Sequence, residues 1–507
     1  MVIGLPGISC IIAVISNYFA PVSEYKMSVV GDFDYERFCQ ERNPPLSHGP
    51  LSLPMQRPPP ECRTFRSRVI DHEVEQMKAK LRNIPDLARL FENTFPNTLD
   101  TTIRFHDSGS SPITFVVTGD INAEWIRDSH RQLSPYTPWA SQDKSLRQLL
   151  LGAIALHVRY VRRFPHCNAF QPPVEARLPI RNNGQNDNVF PNYDPSFVFE
   201  CKYELDSLAS FFGLPNDYYD ATQDKSFMTG QWLETAQFVL DRIQDLRGGT
   251  YDEFGRVARP PYMFKRKTDI GTETLPNNGQ GNPVKKTGMV RSFFRPSDDT
   301  CVYQFLVPAN AQFVVELERL SKYAPSELAE RAATMASEIR EAIYRHGVVN
   351  HPDYGDVFAY EVDGYGSSLF MDDANVPSLL SLPILGFVGI DDPLYQNTRR
   401  MVLSPANPYF ITGPYFEGIG GPHVGLRNAW PMSRILAIRT SNDEEEIAQH
   451  LKAVLESTRG LGLIHESINV DTNSFTRPWF SWANAEFAKA IIDLDERRIL
   501  SKVLSLL

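Results

Sequence analysis

Residues 146–161 read LRQLLLGAIALHVRYV, and apolar side chains recur in this stretch every three or four positions. That spacing places them on one face of an α-helix, so the stretch predicts a helix with one buried face. Four later stretches show the same spacing, and they include Trp232, Leu328, Ile447 and Trp482. We therefore expect a mainly α fold.

The ends of these helices are also marked in the sequence. Gly248, Gly347 and Gly460 follow three of the stretches, and glycine commonly ends a helix. Ser441 and Glu444 have the spacing of a capping box, which predicts a helix start at that point. The connections between helices are long and polar, and loops of that length are usually functional.

The charge composition limits the kinds of partner that the protein can bind. The chain has 507 residues, with 51 basic and 61 acidic side chains and a formal net charge of −10. This balance disfavours a nucleic-acid binder or a polybasic membrane-surface protein, because both need a positive face. The length fits about three average domains, or one large barrel.

The N-terminal segments and the cysteines each allow more than one interpretation. Residues 1–20 are apolar and uncharged, which is typical of a signal-peptide core or a short membrane anchor; membrane contact is expected only if this segment is an uncleaved anchor. The chain has no Asn-x-Ser/Thr triplet, so both a secretory and an intracellular location stay open. Residues 21–64 are rich in proline and predict an extended arm or a disordered leader ahead of one domain at 65–507.

The six cysteines include no C-x-x-C pair, which leaves buried thiols or one or two unassigned disulfides.

Several polar segments contain aromatic residues without helical or strand spacing, the arrangement from which proteins build a surface for a sugar ring. They are TGDINAEWIRDS (118–129), FECKYELDS (199–207), RSFFRPSDDTCVYQFLVPAN (291–310), LFMDDANVPSL (369–379), HESINVDTNSFTRPWFSWANAEF (465–487) and, more weakly, GIGGPHVGLRNAWP (418–431).

Single residues in these segments have two interpretations each. Arg127 with its neighbour Asp128 is either a helix-surface ion pair or part of a sugar clamp. The pair at 298–299 is either a helix N-terminus or a functional carboxylate pair, and together with the pair at 372–373 it also resembles a Ca²⁺ or Mg²⁺ site. Glu466 is either an ordinary loop glutamate or an acid–base group beside histidine and tryptophans.

The absence of other motifs favours carboxylate chemistry. The sequence has no G-x-x-x-x-G-K phosphate loop, no H-E-x-x-H zinc motif and no G-x-S-x-G elbow. Nucleotide hydrolysis, zinc proteolysis and α/β-hydrolase chemistry are thereby disfavoured. An acidic, aromatic-lined site built from carboxylates best serves glycoside hydrolysis.

From about residue 70 to the C-terminus, the chain resembles glycoside hydrolase family 125, whose members are exo-acting α-1,6-mannosidases. The blocks that carry the resemblance are TGDINAEWIRDS, KYELDS (202–207), FRPSDD (294–299), MDDANVPSLLSLP (371–383), and HESINVD with FTRPWFSWANAEF. The stretch at 265–288 does not match and is interpreted as an insertion or a mobile loop. The resemblance implies an (α/α)6 toroid with a pocket at one end, inversion at the anomeric carbon, and no metal or other cofactor.

Carried onto this sequence, the resemblance implies an acid in the pair Asp298 and Asp299 and a base at Glu466. We prefer Asp299 as the acid, because Asp298 is better placed to cap a following helix and would then stay ionised. The remaining candidates surround the sugar. The predicted hydroxyl ligands are Arg127, Asp128, Asp372 and Asp373; the predicted walls are Trp125, Trp479 and Trp482, with His465 and Arg477 as further contacts.

The resemblance thus implies an inverting, metal-independent exo-α-1,6-mannosidase that removes terminal mannose from mannose-rich, N-glycan-type oligosaccharides. Two alternatives stay open: a non-catalytic mannan-binding protein on the same scaffold, and a Ca²⁺-dependent α-mannosidase. No oligomeric state is predicted.

Overall fold

The computed structural model describes residues 33–472 and 474–507. The predicted signal peptide or anchor at 1–20 lies outside the described residues, as does the first part of the arm. Within the described ranges, no helix is both long and apolar enough to cross a membrane.

The described residues are 44% helix and 12% strand, which confirms the prediction of a mainly α fold. The helices are α1 (Tyr35–Phe38), α2 (Arg68–Lys80), α3 (Pro85–Thr94), α4 (Ile126–Leu133), α5 (Lys144–Arg163), α6 (Leu205–Thr222), α7 (Gly230–Asp245), α8 (Pro276–Gly279), α9 (Val307–Ser321), α10 (Ser326–His346), α11 (Leu382–Leu385), α12 (Pro393–Val402), α13 (Pro431–Arg439), α14 (Glu444–Ser457), α15 (Ser481–Glu496) and α16 (Leu500–Ser505).

Two rings of helices account for this architecture. Contacts run from α13 to α15, α4, α6, α9 and α11 in turn, and these inner helices, apart from the short α11, are buried on nearly all sides. The outer helices α5, α7, α10, α12 and α14 each follow an inner helix in the chain, and α3 packs on α15, so the two ends of the chain share the last hairpin. This alternation is the predicted (α/α)6 toroid.

Four of the five stretches with helical apolar spacing form outer helices, and the fifth, which contains Trp482, forms the inner helix α15. In α5, the side chains of Leu146, Leu149, Leu150 and Ala153 are fully buried, and α7 buries Trp232 in the same way. An outer helix needs only one apolar face, because its other face meets water. The prediction of these helices is therefore confirmed.

The strands are short and form small antiparallel sheets. They are β1 (Ile103–Asp107), β2 (Ile113–Val116), β3 (Glu124–Trp125), β4 (Ala169–Phe170), β5 (Asp187–Phe190), β6 (Val198–Glu200), β7 (Met263–Arg266), β8 (Phe305–Leu306), β9 (Val348–His351), β10 (Gly355–Phe358), β11 (Glu361–Val362), β12 (Ser368–Leu369), β13 (Phe410–Thr412), β14 (Glu417–Ile419), β15 (Asn428–Ala429), β16 (Ser467–Asn469) and β17 (Phe475–Thr476). Strands β3, β6, β8 and β15 each precede an inner helix, so the sheets lie at the N-terminal ends of the inner ring.

The structure describes residues 33–64 of the predicted arm. Residues 33–64 lie against the toroid, and α1 directs the ring of Tyr35 onto that of Trp479, with centroids 4.9 Å apart. The Tyr35 hydroxyl donates to the carbonyl of Gln56 at 2.9 Å and accepts from the amide of Asn97 at 3.1 Å.

Three local expectations meet different outcomes. The capping box is wrong, because Asp443 caps α14 and accepts from the backbone N–H groups of Glu445 and Glu446. The stretch ITFVVTG (113–119) has the alternating apolar side chains of a strand, and β2 forms over its first four residues, Ile113–Val116. Of the open cysteine alternatives, a disulfide joins Cys167 to Cys201.

A buried ion-pair triad links three inner helices. Glu486 on α15 accepts from Arg131 on α4 at 2.6 Å and from Arg439 on α13 at 3.0 Å. The Glu486 side chain is fully buried, and both guanidinium groups are close to fully buried. Removing one partner from such a cluster leaves charge uncompensated in the interior.

We expect Glu486→Ala to lower the free energy of unfolding by roughly 3–5 kcal/mol, because two buried guanidinium groups lose their carboxylate. Chemical denaturation followed by circular dichroism measures the change. The matched control is Glu496→Ala at the exposed end of the same helix, with an expected change below about 0.5 kcal/mol. Equal effects of the two substitutions would show that the triad does not stabilise the ring.

Candidate active site

A cavity of about 340 Å³ opens at the N-terminal ends of the inner helices. The site residues predicted from sequence that line it are Trp125, Arg127, Asp128, Asp298, Glu466, Arg477 and Trp482. They come from segments that are distant in sequence. The contact between Asp120 and Arg477, for example, joins residues 357 positions apart. The first turns of α4 and α15 supply Arg127, Asp128 and Trp482.

The guanidinium of Arg127 is the centre of one side of this cavity. It lies 2.6 Å from Glu204, 3.5 Å from Asp206, 3.2 Å from Asp128 and 3.8 Å from Asp298. Its planar group also lies over the ring of Trp482, at 5.2 Å from the centroid. Four carboxyl groups thus surround one buried cation.

The protonation of these carboxyl groups follows from their burial. Burial raises the pKa of Asp128 and that of Asp206 to about 6 each, against the opposing attraction of Arg127. Burial also raises the pKa of Glu204 well above its ordinary value. One arginine does not balance four carboxylates, so Asp128, Asp206 and Glu204 tend to hold protons that isolated carboxyl groups would release.

Asp298 and Asp299 face different surroundings. The side chain of Asp298 is 19% exposed, lines the cavity and accepts from the amide of Asn168 at 3.1 Å, whereas Asp299 is 2% exposed and accepts from Ser297 at 2.9 Å. Burial acts to raise the pKa of Asp298, but Arg127, a hydrogen bond with Glu204 and Lys202 hold it well below its usual range. Burial raises the pKa of Asp299.

The stated reason for preferring Asp299 as the acid is wrong. No helix starts at this pair: the described chain forms a turn, in which Asp298 donates its N–H to the carbonyl of Arg295, and continues into β8. Asp298 adopts the left-handed conformation with φ of 66°, which aspartate tolerates better than most residues. The turn exposes Asp298 to the cavity and buries its neighbour.

Glu466 lies immediately before β16 on another side of the cavity. One oxygen of its carboxyl accepts from the hydroxyl of Thr476 at 2.9 Å, and the other lies 3.5 Å from the guanidinium of Arg477. Arg477 is fixed by Asp120, which accepts from its Nε at 2.9 Å, and by Thr118 at 3.1 Å. The guanidinium therefore has a defined position from which it attracts the carboxylate of Glu466.

The tryptophans divide differently from the prediction. Trp125 and Trp482 line the cavity, and so does Trp430, from the weaker segment 418–431. Trp479 lies outside the cavity lining and contributes instead to the packing of the arm: its indole N–H donates to Thr101 at 3.2 Å while its ring meets Tyr35.

Asp372, Asp373 and His465 also lie outside the lining. Asp372 accepts from the backbone N–H groups of Leu379 and Leu380, at 2.8 and 2.9 Å, and burial raises its pKa to about 8. Asp373 accepts from the amide of Asn375, which does line the cavity, at 2.9 Å. These two aspartates shape the loop that presents Asn375.

His465 is separated from the cavity by the same backbone that carries Glu466. Its ring stacks on Phe475 with centroids 3.8 Å apart, and its Nε2 lies 3.2 Å from the carbonyl of Thr458. Burial lowers the pKa of His465 to about 4. Its contacts support the loop behind Glu466.

Sequence reasoning missed several residues of the wall. Lys202 and Glu200 lie in the segment 199–207 but were not predicted as site residues. Arg266 and Glu273 belong to the stretch at 265–288, which does not match the family. The guanidinium of Arg266 bridges Asp187 and Glu200 at 2.7 Å each, which joins this stretch to the cavity wall. The other missed lining residues are Thr118, Ile121, Asn183, Gln185, Phe199, Pro296, Ser297, Asn375, His423 and Phe480.

The aspartate pairs at 298–299 and 372–373 raise the alternative of a bound cation. Within residues 33–472 and 474–507, no group of three or more His, Cys, Asp or Glu side chains is arranged to hold a metal ion. The two aspartate pairs considered as Ca²⁺ or Mg²⁺ ligands make the protein contacts given above.

Comparisons with known proteins identify the family to which the chain belongs. The family described as metal-independent alpha-mannosidase (GH125) matches residues 84–492 of the chain. The chain is 52% identical, over 474 residues, to the meiotically up-regulated gene 157 protein of Schizosaccharomyces pombe, a match that covers 92% of this chain and 93% of that protein.

A solved structure from Streptococcus pneumoniae, described as a metal-independent alpha mannosidase in a non-productive substrate complex with alpha-1,6-mannobiose, is also similar. It aligns with a TM-score of 0.78 and 32% identity, and the alignment covers 86% of this chain and 100% of that one. The predicted family is therefore confirmed: the chain belongs to glycoside hydrolase family 125, the metal-independent α-mannosidases, and is a glycoside hydrolase.

Proposed function

We propose that the protein is an inverting exo-α-1,6-mannosidase in which Asp298 is the general acid and Glu466 the general base. The observation that carries the proposal is that these two carboxyl groups, from segments distant in sequence, line one cavity. Inverting glycosidases use such a pair, with one group protonating the leaving oxygen and the other activating water on the opposite face of the ring.

The size of the cavity supports action at a chain end. Its volume of about 340 Å³ lies near the lower end of the range for small-molecule sites, roughly 300–1,000 Å³. Such a space suits a terminal sugar better than an internal stretch of glycan. The bacterial relative was solved with alpha-1,6-mannobiose, which supports the same linkage here.

The reaction follows from the position of each group. Asp298 transfers a proton to the glycosidic oxygen, and the bond from that oxygen to the anomeric carbon breaks. Glu466 removes a proton from the attacking water, whose oxygen bonds to the same carbon from the opposite face. The released mannose therefore has the β configuration.

The remaining lining residues bind the terminal mannose. Arg127 donates and Asp128 accepts, a combination that recognises neighbouring hydroxyl groups. Trp125, Trp430 and Trp482 supply apolar faces for the ring. Arg477 holds the Glu466 carboxylate.

Incubation with α-1,6-mannobiose is expected to release mannose, with the β anomer appearing first in a proton NMR time course. The rate should be the same with and without EDTA, since the proposed acid and base are side-chain carboxyls. Release of the α anomer first would contradict inversion. Loss of activity with EDTA would favour the Ca²⁺-dependent alternative, and binding without any turnover would favour the mannan-binding one.

Asp298→Asn and Glu466→Gln are each expected to lower kcat by roughly 10²–10⁴-fold, because each removes one proton-transfer group. The matched control is Asp299→Asn, which neutralises the buried neighbour and should leave most of the activity. Binding of mannobiose, measured by isothermal titration calorimetry, should persist in Glu466→Gln. Loss of turnover in Asp299→Asn with retention in Asp298→Asn would reverse the assignment of the acid.

A further inference from the structure

Glu204 is a buried carboxyl group that the proposed mechanism does not use. It precedes α6, its side chain is fully buried, and it does not line the cavity. One of its oxygens accepts from Arg127 at 2.6 Å and from the hydroxyl of Ser207 at 3.2 Å. The other accepts from the amide of Asn168 at 3.2 Å.

The same amide of Asn168 brings Glu204 and Asp298 together. Its nitrogen lies 3.2 Å from an oxygen of Glu204 and 3.1 Å from an oxygen of Asp298. Arg127 also contacts both groups, at 2.6 and 3.8 Å. Two carboxyl groups therefore converge on one amide and one guanidinium, with Glu204 on the protein side and Asp298 on the cavity side.

Because Glu204 and Asp298 approach the same amide nitrogen, their carboxyl groups are close neighbours, and Asp298 acts together with burial to raise the pKa of Glu204. Two ionised carboxylates so close in a buried site repel each other, which favours a proton on one member of the pair. Carboxyl pairs of this kind release their protons in two steps that belong to the pair and not to either residue.

The surrounding charges determine how firmly the proton is held. The pair faces Arg127 and Asp128 from α4, and Lys202 and Asp206 from the chain around the start of α6. His423 and Asp299 approach from the loops on the other side. Two permanent cations face several carboxyl groups in a buried site, so releasing the last proton of the pair adds negative charge where it is poorly compensated.

We propose that Glu204 is a positioning residue for the general acid, sharing one proton with Asp298 and so keeping that proton available to the leaving oxygen at neutral pH. The inference rests on the proposed function, since it assigns the role of acid to Asp298. Before reaction, the pair carries one proton. Asp298 gives it to the glycosidic oxygen, Glu466 gains one from water, and exchange with solvent restores both groups.

The experiment is the pH dependence of kcat/KM on α-1,6-mannobiose for the full chain. The activity of the acid declines as pH rises through the value at which the pair loses its proton. In Glu204→Gln a single carboxyl, with Arg127 and Lys202 still beside it, replaces the pair, so Asp298 releases its proton at a lower pH than that at which the pair releases its last proton. The alkaline limb is the part of the pH profile in which activity falls as pH rises. In Glu204→Gln this limb should therefore move to lower pH by at least about one unit, while activity at lower pH remains.

Two further variants exclude a general effect of charge or folding. Asp206→Asn removes another carboxyl paired with Arg127 and should move the limb less than Glu204→Gln does. Glu204→Asp keeps a carboxyl but withdraws it by one methylene, so its limb should lie between those of Glu204→Gln and the unmodified protein. If Glu204→Gln does not fold, the limb of Glu204→Asp decides the question, and an unmoved limb overturns the proposal.

Three further results would contradict the proposed pairing of Glu204 with Asp298. A uniform loss of activity at every pH in Glu204→Gln, an unmoved limb, or an equal shift in Asp206→Asn would each overturn the pairing. Asp298→Asn separates this proposal from the proposed function. High activity of Asp298→Asn counts against Asp298 as the acid, whereas an unmoved limb in Glu204→Gln counts only against the role of Glu204.

Discussion

The buried guanidinium of Arg127 is the interaction on which the site depends. It is contributed by the first inner helix and contacts carboxyl groups from the start of α6 and from the turn at residue 298. A buried arginine of this kind is stable only when its partners surround it, and the partners are stable only when the arginine is present. The three segments therefore take up one mutual arrangement, and the cavity forms between them.

The small sheets around the cavity keep these segments in register. Strand β4 pairs with β3 and with β6, and the disulfide from Cys167 to Cys201 joins the chain next to the same strands. Asn168 and Lys202 directly follow the two cysteines. The backbone N–H of Lys202 donates to the side chain of Asn168 at 3.0 Å, so the amide that meets Asp298 is itself held in place.

Neighbours in sequence have separate tasks in this structure. Glu466 faces the cavity, whereas His465 is buried against Phe475 behind it. Trp482 lines the cavity, whereas Trp479 packs under the arm. Segments that resemble the family could be identified as blocks, but adjacent residues in extended backbone point to opposite sides, and a block does not show which side meets the cavity.

The mainly α fold can be inferred from the amino-acid sequence alone, because the apolar spacing of a helix with one buried face is a local property. Together with the family resemblance, the sequence also located the segments that build the site. The three-dimensional arrangement is needed to see that Asp298 and not Asp299 faces the cavity, that Trp430 replaces Trp479 in its wall, and that Glu204 and Asp298 share the amide of Asn168. Those distinctions depend on which side chains converge from distant segments around one buried charge, and no local pattern records that.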